Sequence, residues 1–279
     1  MMIGYAFRDV GSRSHRDKED IMAHGMSGHM GRGFVRAADV RGAEVVNPNG
    51  EKLGKISELI VDYRSGVTPY AVVSFGGVLG INRESVAVPM ESFVGDAEEE
   101  RFVLGTTKAQ LEHAPDFDPK KWDSLHDESW RDKVKQAFGR SPSIHKDAGS
   151  KSGQAGSLGV RYMLSKDLEG AKILDSHDES VGSIKDLVTD RYTCDNVGFV
   201  LVKTGMGGDC VPVPWTALEH TKGTEFRVSA PKSSMEDAPT LQKDELDRLA
   251  EPGFCDTICT YFGVRPTVAN AAGSSPAVR

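Results

Sequence analysis

Apolar residues in this chain come in short runs set off by Gly, Pro, Asn and Asp, the pattern of many short strands. Val45-Val46-Asn47 reads as a strand and Pro48-Asn49-Gly50 as its turn. Leu53, Ile56 and Leu59-Ile60-Val61 continue as β structure, and Tyr70–Phe75 is a buried strand. Gly76-Gly77 and Gly80 fit a hairpin loop. Val86-Ala87-Val88 is the return strand, ended by Pro89, which cannot donate to a central ladder. Arg101–Leu104 adds a further strand. Thr107–His113 then predicts a short helix, with Thr106 or Thr107 as cap and Pro115 as stop. Such a series indicates a small β barrel or sandwich.

The same pattern then recurs. Residues 39–62 and 167–190 align without a gap at an offset of 128. Eight of these 24 positions are identical, among them Asp39/Asp167, Gly42/Gly170, Glu51/Glu179, Gly54/Gly182 and Asp62/Asp190. Most other apolar positions exchange only among Val, Leu and Ile. A long repeat of this kind means two copies of one folding unit. Ile173-Leu174, the Asp178-Glu179 turn, Leu187-Val188, Phe199–Val202 and Val211-Pro-Val-Pro214 occupy the matching places. The offset falls to 125 at Pro89/Pro214, so the second hairpin is about three residues shorter, with Gly205-Met-Gly-Gly208 at its tip.

Between the copies, Pro119–Phe138 predicts an amphipathic helix with Trp122, Leu125, Trp130, Val134 and Phe138 along one stripe. Residues 139–157, rich in Ser, Gly and Lys, read as a flexible linker. A last helix is predicted near Leu241–Ala250, stopping before Pro252. The chain thus divides into a flexible tail over 1–37, a first unit over 38–118, and a helix with basic linker over 119–160. A second unit with its helix follows over 161–264, and a frayed tail over 265–279.

Hydrophobic residues make up 38% and charged residues 27%, enough for two cored domains. The net charge of −7 argues against a general nucleic-acid binder. The charge is unevenly placed, however: residues 1–36 carry +2, residues 120–161 carry +4, and the rest carries −13. Acidic units are therefore joined by basic segments. The longest mostly apolar run, Tyr70–Ile81, is too short to span a membrane, and no signal peptide is read at the N-terminus. Four cysteines are too few for a secreted disulfide scaffold, so a cytoplasmic location is expected.

Candidate chemistry is sparse. His24-Gly-Met-Ser-Gly-His-Met30 offers two His and two Met that could meet a soft metal, but such a stretch is more often a solvated tail. Cys255 and Cys259 share a helix face and, with Cys194 and Cys210, could make a four-thiolate site; the alternative is four small buried hydrophobes. The glycine loops Gly76–Gly80 and Gly205–Gly208 lie between strands, where hairpin geometry explains them without a phosphate. Glu51, Glu179, Asp62 and Asp190 recur at matching sites, which favours structural turns over acid–base work. No nucleophile has a readable base. The expectation is no catalytic residue, no cofactor and no metal. Trp122, Trp130 and Trp215 are the candidate protein-contact residues, with barrel-to-helix packing as the other reading.

The string Gly42-Ala-Glu-Val-Val-Asn-Pro-Asn-Gly-Glu-Lys-Leu-Gly-Lys-Ile56, then Asp62, Tyr70-Ala-Val-Val-Ser-Phe-Gly-Gly77 and Val86-Ala-Val-Pro89, resembles the PRC-barrel family. The resemblance is stronger over 38–117 than over 164–229. It implies a mainly β fold: two tandem small PRC-like β-barrels, each followed by a short helix, with flexible tails and linker. Members of the family include the cytoplasmic domain of the photosynthetic reaction-centre H subunit, and a related barrel occurs in a bacterial ribosome-maturation factor. The resemblance therefore implies a bacterial protein. The expected role is a non-enzymatic protein-binding or assembly module with a protein partner. An RNA- or ribosome-linked maturation factor and a peripheral partner of a photosynthetic reaction-centre or electron-transfer complex stay open as alternatives.

Overall fold

The computed structural model describes residues 33–76, 84–96, 98–118, 125, 127–140, 162–205, 209–242 and 244–265. The first copy runs β1 (Phe34–Arg36), α1 (Ala37–Val40), β2 (Glu44–Val46), β3 (Lys52–Asp62), β4 (Tyr70–Phe75), β5 (Glu84–Pro89), β6 (Phe93–Asp96), β7 (Arg101–Leu104), α2 (Lys108–Glu112) and α3 (Glu128–Phe138). The second runs β8 (Tyr162–Leu164), α4 (Ser165–Leu168), β9 (Lys172–Leu174), β10 (Ser180–Asp190), β11 (Val197–Lys203), β12 (Val211–Pro214), β13 (Leu218–Lys222), β14 (Glu225–Val228), α5 (Lys232–Glu236) and α6 (Pro252–Tyr261). The fold is mainly β. Two curled mixed sheets, each a half-barrel followed by short helices, have the orders β5-β4-β3-β2-β7-β6 and β12-β11-β10-β9-β14-β13. In each, the only parallel pair closes the curl, β2 with β7 and β9 with β14.

Local chemistry explains the shared path. Asn47 accepts the N–H groups of Asn49 and Glu51 on its side-chain oxygen, and Asp175 does the same for His177 and Glu179. Both are side-chain-stabilised turns, a device for which Asn and Asp are suited. Gly54 and Gly182 sit where the long central strand presses on its neighbour. A Cβ there would lie 2.5 Å from the Ser74 carbonyl oxygen or 2.3 Å from that of Lys203, so neither copy tolerates a side chain. The Thr107 hydroxyl and Gln110 side chain form the reciprocal cap of α2.

The two sheets are joined by exchanged strands. β1, from the first copy, pairs antiparallel with β10 of the second sheet, Phe34 opposite Asp190 and Arg36 opposite Val188. β8, from the second copy, pairs with β3 of the first sheet, Tyr162 opposite Asp62 and Leu164 opposite Ile60. Every one of these partners is shifted by the repeat offset, so the exchange is reciprocal and the arrangement has a two-fold character. Near that axis the two equivalent turns meet, each residue on the equivalent of its neighbour: Val67 bridges Asn196, and Thr68 N–H donates to the Asp195 carbonyl at 2.7 Å. One apolar cluster accordingly runs through both copies, from Phe34 and Val45 to Trp215 and Phe262. A second cluster places Trp130 and Val134 of α3 against Tyr70, Val72 and Ala87 on the first sheet and Tyr162 and Leu164 of β8. This covers the outer face of a strand whose inner face carries Ala71 and Val73, which is why Tyr70–Val73 reads as an unbroken apolar run.

Several boundaries differ from those read on the sequence. The tail expected over 1–37 ends earlier: Phe34–Arg36 is a strand and Ala37 begins a helix, because the strand's partner in β10 lies more than 150 residues away. β6 and β13 were not predicted; each completes a hairpin with the strand after it. The helix expected over Pro119–Phe138 begins at Glu128, where Asp127 caps the Ser129 N–H at 2.9 Å. The helix expected near Leu241–Ala250 is a single tight turn over Leu246–Ala250, and Pro252 starts the true helix rather than ending one. Proline is favoured at the first helical position, where its missing N–H has no intrahelical partner to lose. The His/Met segment at 24–30, Trp122, Gly77–Gly80, Met206–Gly208, linker residues 141–161 and residues 266–279 lie outside the described residues.

The exchange has a direct consequence. A chain cut once at a protease site engineered between residues 141 and 161 is expected to elute as one particle of unchanged size. Separation of the two fragments without denaturant would contradict the exchanged pairing.

Candidate functional site

The polar centre of the molecule lies at the junction of the two copies. Glu58 and Asp186 occupy equivalent positions in the long strands β3 and β10, each at a register shift that turns its side chain inward. Both are buried, 4% and 7% exposed. Each carboxylate takes the N–H of its own next residue: Leu59 to Glu58 at 2.9 Å, Leu187 to Asp186 at 2.8 Å. Each also reaches into the opposite copy, to the start of its short helix. Glu58 accepts the Ser165 hydroxyl and the Lys166 N–H, and Asp186 accepts the Ala38 N–H at 3.3 Å. The helices α1 and α4 thus have their unsatisfied first-turn N–H groups capped by a carboxylate from the other half of the chain.

The two halves of this device differ in charge. Arg41 lies beside Glu58, donates to Ser165 at 2.9 Å, and pairs with Glu169. Residues 41 and 169 are repeat equivalents, so the axis carries an Arg–Glu pair where strict symmetry would oppose like charges. Lys166 adds a second cation near Glu58, at 4.0 Å. Asp186 has weaker company: Ala38 stands where Lys166 would be, and of the groups around it Glu169 opposes its ionisation while Arg41 favours it. Burial therefore pushes the Asp186 carboxyl above its ordinary range; the Leu187 and Ala38 N–H groups oppose that rise, and Glu169 adds to it. Asp175, by contrast, is held low: burial opposes ionisation, but the N–H groups of Glu179, His177 and Lys232 outweigh it.

The residues singled out on the sequence are placed as follows. Asp62 and Asp190 cap equivalent turns, through Arg64 N–H at 3.0 Å and Tyr192 N–H at 2.8 Å, and Glu51 returns to Asn47 at 2.9 Å. Trp130 is 8% exposed, edge-on to Tyr70, with its indole N–H on the Asp116 carbonyl. Trp215 is 3% exposed and lies on Gly66 of the first copy, where a Cβ would meet the ring at 2.6 Å. Both rings pack inside the chain, which is the packing reading that the sequence also allowed for them. Gly66 has φ +78°, and its equivalent Cys194 holds φ 48°, a left-handed conformation that costs a β-carbon-bearing residue.

The four cysteines are not assembled into one site. Cys194 is at the junction, its thiol donating to the Asp190 carbonyl at 3.2 Å, while Cys255 and Cys259 are buried on α6. Burial pushes the Cys194 thiol up; Cys255 is raised first by its hydrogen bond with Cys259 and then by burial. Such thiols are poor nucleophiles at neutral pH. Among the described residues no group of three His, Cys, Asp or Glu side chains could hold a metal ion, and no helix is long and apolar enough to cross a membrane. Sequence reasoning missed Glu58 and Asp186. They are not identical in the two copies, and each stands in a strand where a lone acid reads as a solvent-facing position.

The raised Asp186 carboxyl sets a pH test. The folded state holds that proton more tightly than the unfolded chain, so the associated stability is full below the unfolded value, about 3.9, and is lost as pH rises through the folded one. Asp186→Asn keeps the acceptor for Leu187 and Ala38 without the buried charge. Its melting temperature relative to the wild type is expected to climb between about pH 4 and neutrality and then level off. A difference in melting temperature that stays flat or falls over that range would contradict this.

Residues 32–111 match the family model of the PRC-barrel domain. No curated protein matches the chain. The matched segment begins just ahead of β1 and ends in α2, so it takes in the exchanged strand, the buried Glu58 and all seven strands of the first copy. No enzyme family is indicated. The chain therefore carries a PRC-barrel domain at residues 32–111, followed by a second barrel-like sheet of the same strand order.

Proposed function

We propose that this protein is a non-enzymatic binding or assembly module whose two PRC-type sheets act as one platform for a protein partner. The observation that carries this reading is the commitment of the junction's polar groups to structure. Glu58, Asp186, Ser165 and Arg41 all bond across the copies. The Cys194 and Cys255 thiols are buried and pushed up from their ordinary range. What remains available is surface: an acidic pair of sheets on either side of a basic segment, which favours electrostatic steering of a partner.

The net +4 of residues 120–161 favours one second reading, an RNA- or ribosome-linked factor. The test is capture from the source cell's lysate at low salt, with and without nuclease, followed by titration of the purified hit. The proposed function requires a defined protein that survives nuclease and rebinds in pure form with a fixed stoichiometry. Recovery of ribosomal proteins only, lost on nuclease, would overturn it in favour of the RNA-linked reading. Recovery of membrane-complex subunits would place the platform at a photosynthetic or electron-transfer assembly.

A further inference from the structure

The junction is two-fold in its backbone but not in its grooves. On one side Tyr63, in the turn after β3, stacks on His220 of β13, ring centroids 4.2 Å apart. His220 in turn stands edge-on to Phe226 of β14 at 5.4 Å. The three rings fill the angle between the end of one sheet and the hairpin of the other. On the opposite side the equivalent of Tyr63 is Arg191, and the equivalent of His220 is Gly95, which faces Phe102 in the same register as His220 faces Phe226. Gly95 donates to the Tyr192 carbonyl at 3.2 Å, and a Cβ on it would meet the Arg191–Tyr192 backbone at 3.0 Å. The chain approaches as backbone here, without the ring stack. A cavity of about 720 Å3 opens beside it, between β1, the segment 38–44 and the β6–β7 hairpin.

The cations of this cavity wall are Arg36, Arg41, Arg101 and Arg191. Their repeat equivalents are Leu164, Glu169, Glu225 and Tyr63, none of them cationic. All four are arginine, the side chain whose planar fork matches phosphate and carboxylate oxygens. Acids fix their orientation. Asp39 holds Arg36 through two bonds, at 2.7 and 3.1 Å, and Asp96 takes only the Nε of Arg101, at 3.2 Å. Arg41 and Arg191 draw their counter-charges, Glu169 and Asp247, from outside the wall. The Arg191 link is loose: 3.6 Å, to a carboxylate that is 83% exposed. The Arg191 Nη2 also donates to the Phe34 carbonyl at 3.3 Å, which seats the guanidinium on β1 at the wall, while its buried Nε has no acceptor among the described residues. The wall's other carboxylates are Glu44, which pairs with Lys52 outside the wall, and Glu100 in the β6–β7 turn.

We propose that this cavity binds a small molecule carrying two or more anionic oxygen groups, either a phosphate ester or a polycarboxylate, across Arg36, Arg101 and Arg191. Its volume lies within the ~300–1,000 Å3 common for small-molecule sites. The proposal goes beyond the assembly role and stands or falls separately, since it concerns a small soluble ligand.

The test is calorimetric titration of the full-length chain with pyrophosphate and with citrate, at low and moderate ionic strength. Saturable binding of one of them at one per chain is expected, pyrophosphate marking a phosphate ligand and citrate a carboxylate one. Arg101→Gln and Arg36→Leu should each weaken it by about tenfold or more, the size of one lost charge-assisted hydrogen bond. Leucine occupies the equivalent of position 36 in the second copy, so that variant should fold, which its unliganded melting temperature checks. Lys172→Gln, at the equivalent of Glu44 in the closed groove, should leave binding unchanged. No saturable binding of either probe would overturn the site, as would binding untouched by both arginine variants. Equal binding of both probes that vanishes at moderate salt would show nonspecific charge attraction and overturn it too.

Discussion

The structure depends on the reciprocal exchange of two three-residue strands, each held by a buried carboxylate from the sheet it joins. A curled sheet of this size leaves an open backbone edge beside its longest strand, and an unpaired edge invites association with other chains. Here β1 covers β10 and β8 covers β3, so each copy closes the edge of the other. Glu58 and Asp186 then fix the helices that follow those strands. Removing either strand would open an edge, uncap a helix and leave a carboxylate buried without its cross-copy donor. The shared apolar cluster follows from the same exchange, since β1 carries Phe34 into the second sheet, edge-on to Phe199.

Divergence between the copies has a physical reading. In the parallel pair that closes each half-barrel, Glu44 stands opposite Arg101, whereas Lys172 stands opposite Glu225: opposite charges in the same register with the sign reversed. At the axis, Arg41 meets Glu169. Pairing of a first copy with another first copy would oppose Arg41 to Arg41, and two second copies would oppose Glu169 to Glu169. The charge pattern thus favours first-with-second association and disfavours both alternatives, by attraction in one case and repulsion in the others. The large and small residues follow suit, with Trp215 of one copy on Gly66 of the other. The same divergence leaves one groove sealed by Tyr63 and His220 and the other lined with arginine.

Much of this was legible in the sequence. The gapless repeat announced two units, the strands from Val45 to Leu104 other than β6 fell where alternation and turn residues put them, and the Thr107 cap followed from its side-chain chemistry. What escaped was whatever depends on distant partners. Phe34-Val35-Arg36 has no pattern of its own and becomes a strand only because β10 offers an edge. Glu58 looks solvent-facing until a bulge turns it inward. Pro252 carries two opposite signals, and only the packing of α6 decides that it starts a helix. The candidate site was least legible, since it is built from differences between the copies while the repeat draws attention to identities. The tryptophans illustrate the same limit, because size alone does not tell an internal anchor from an external one.

The most direct test of the reciprocal junction is a double-mutant cycle at its axis. Arg41→Glu places a second acid beside Glu58, and Glu169→Arg places a second cation facing Arg41, so each should lower unfolding stability. The double reversal restores the pair with its sign exchanged, now with the arginine near Asp186. A coupling of about 1–3 kcal/mol in favour of the double variant is expected for groups in direct contact. Losses that simply add would show that residues 41 and 169 do not meet, and would contradict the reciprocal arrangement.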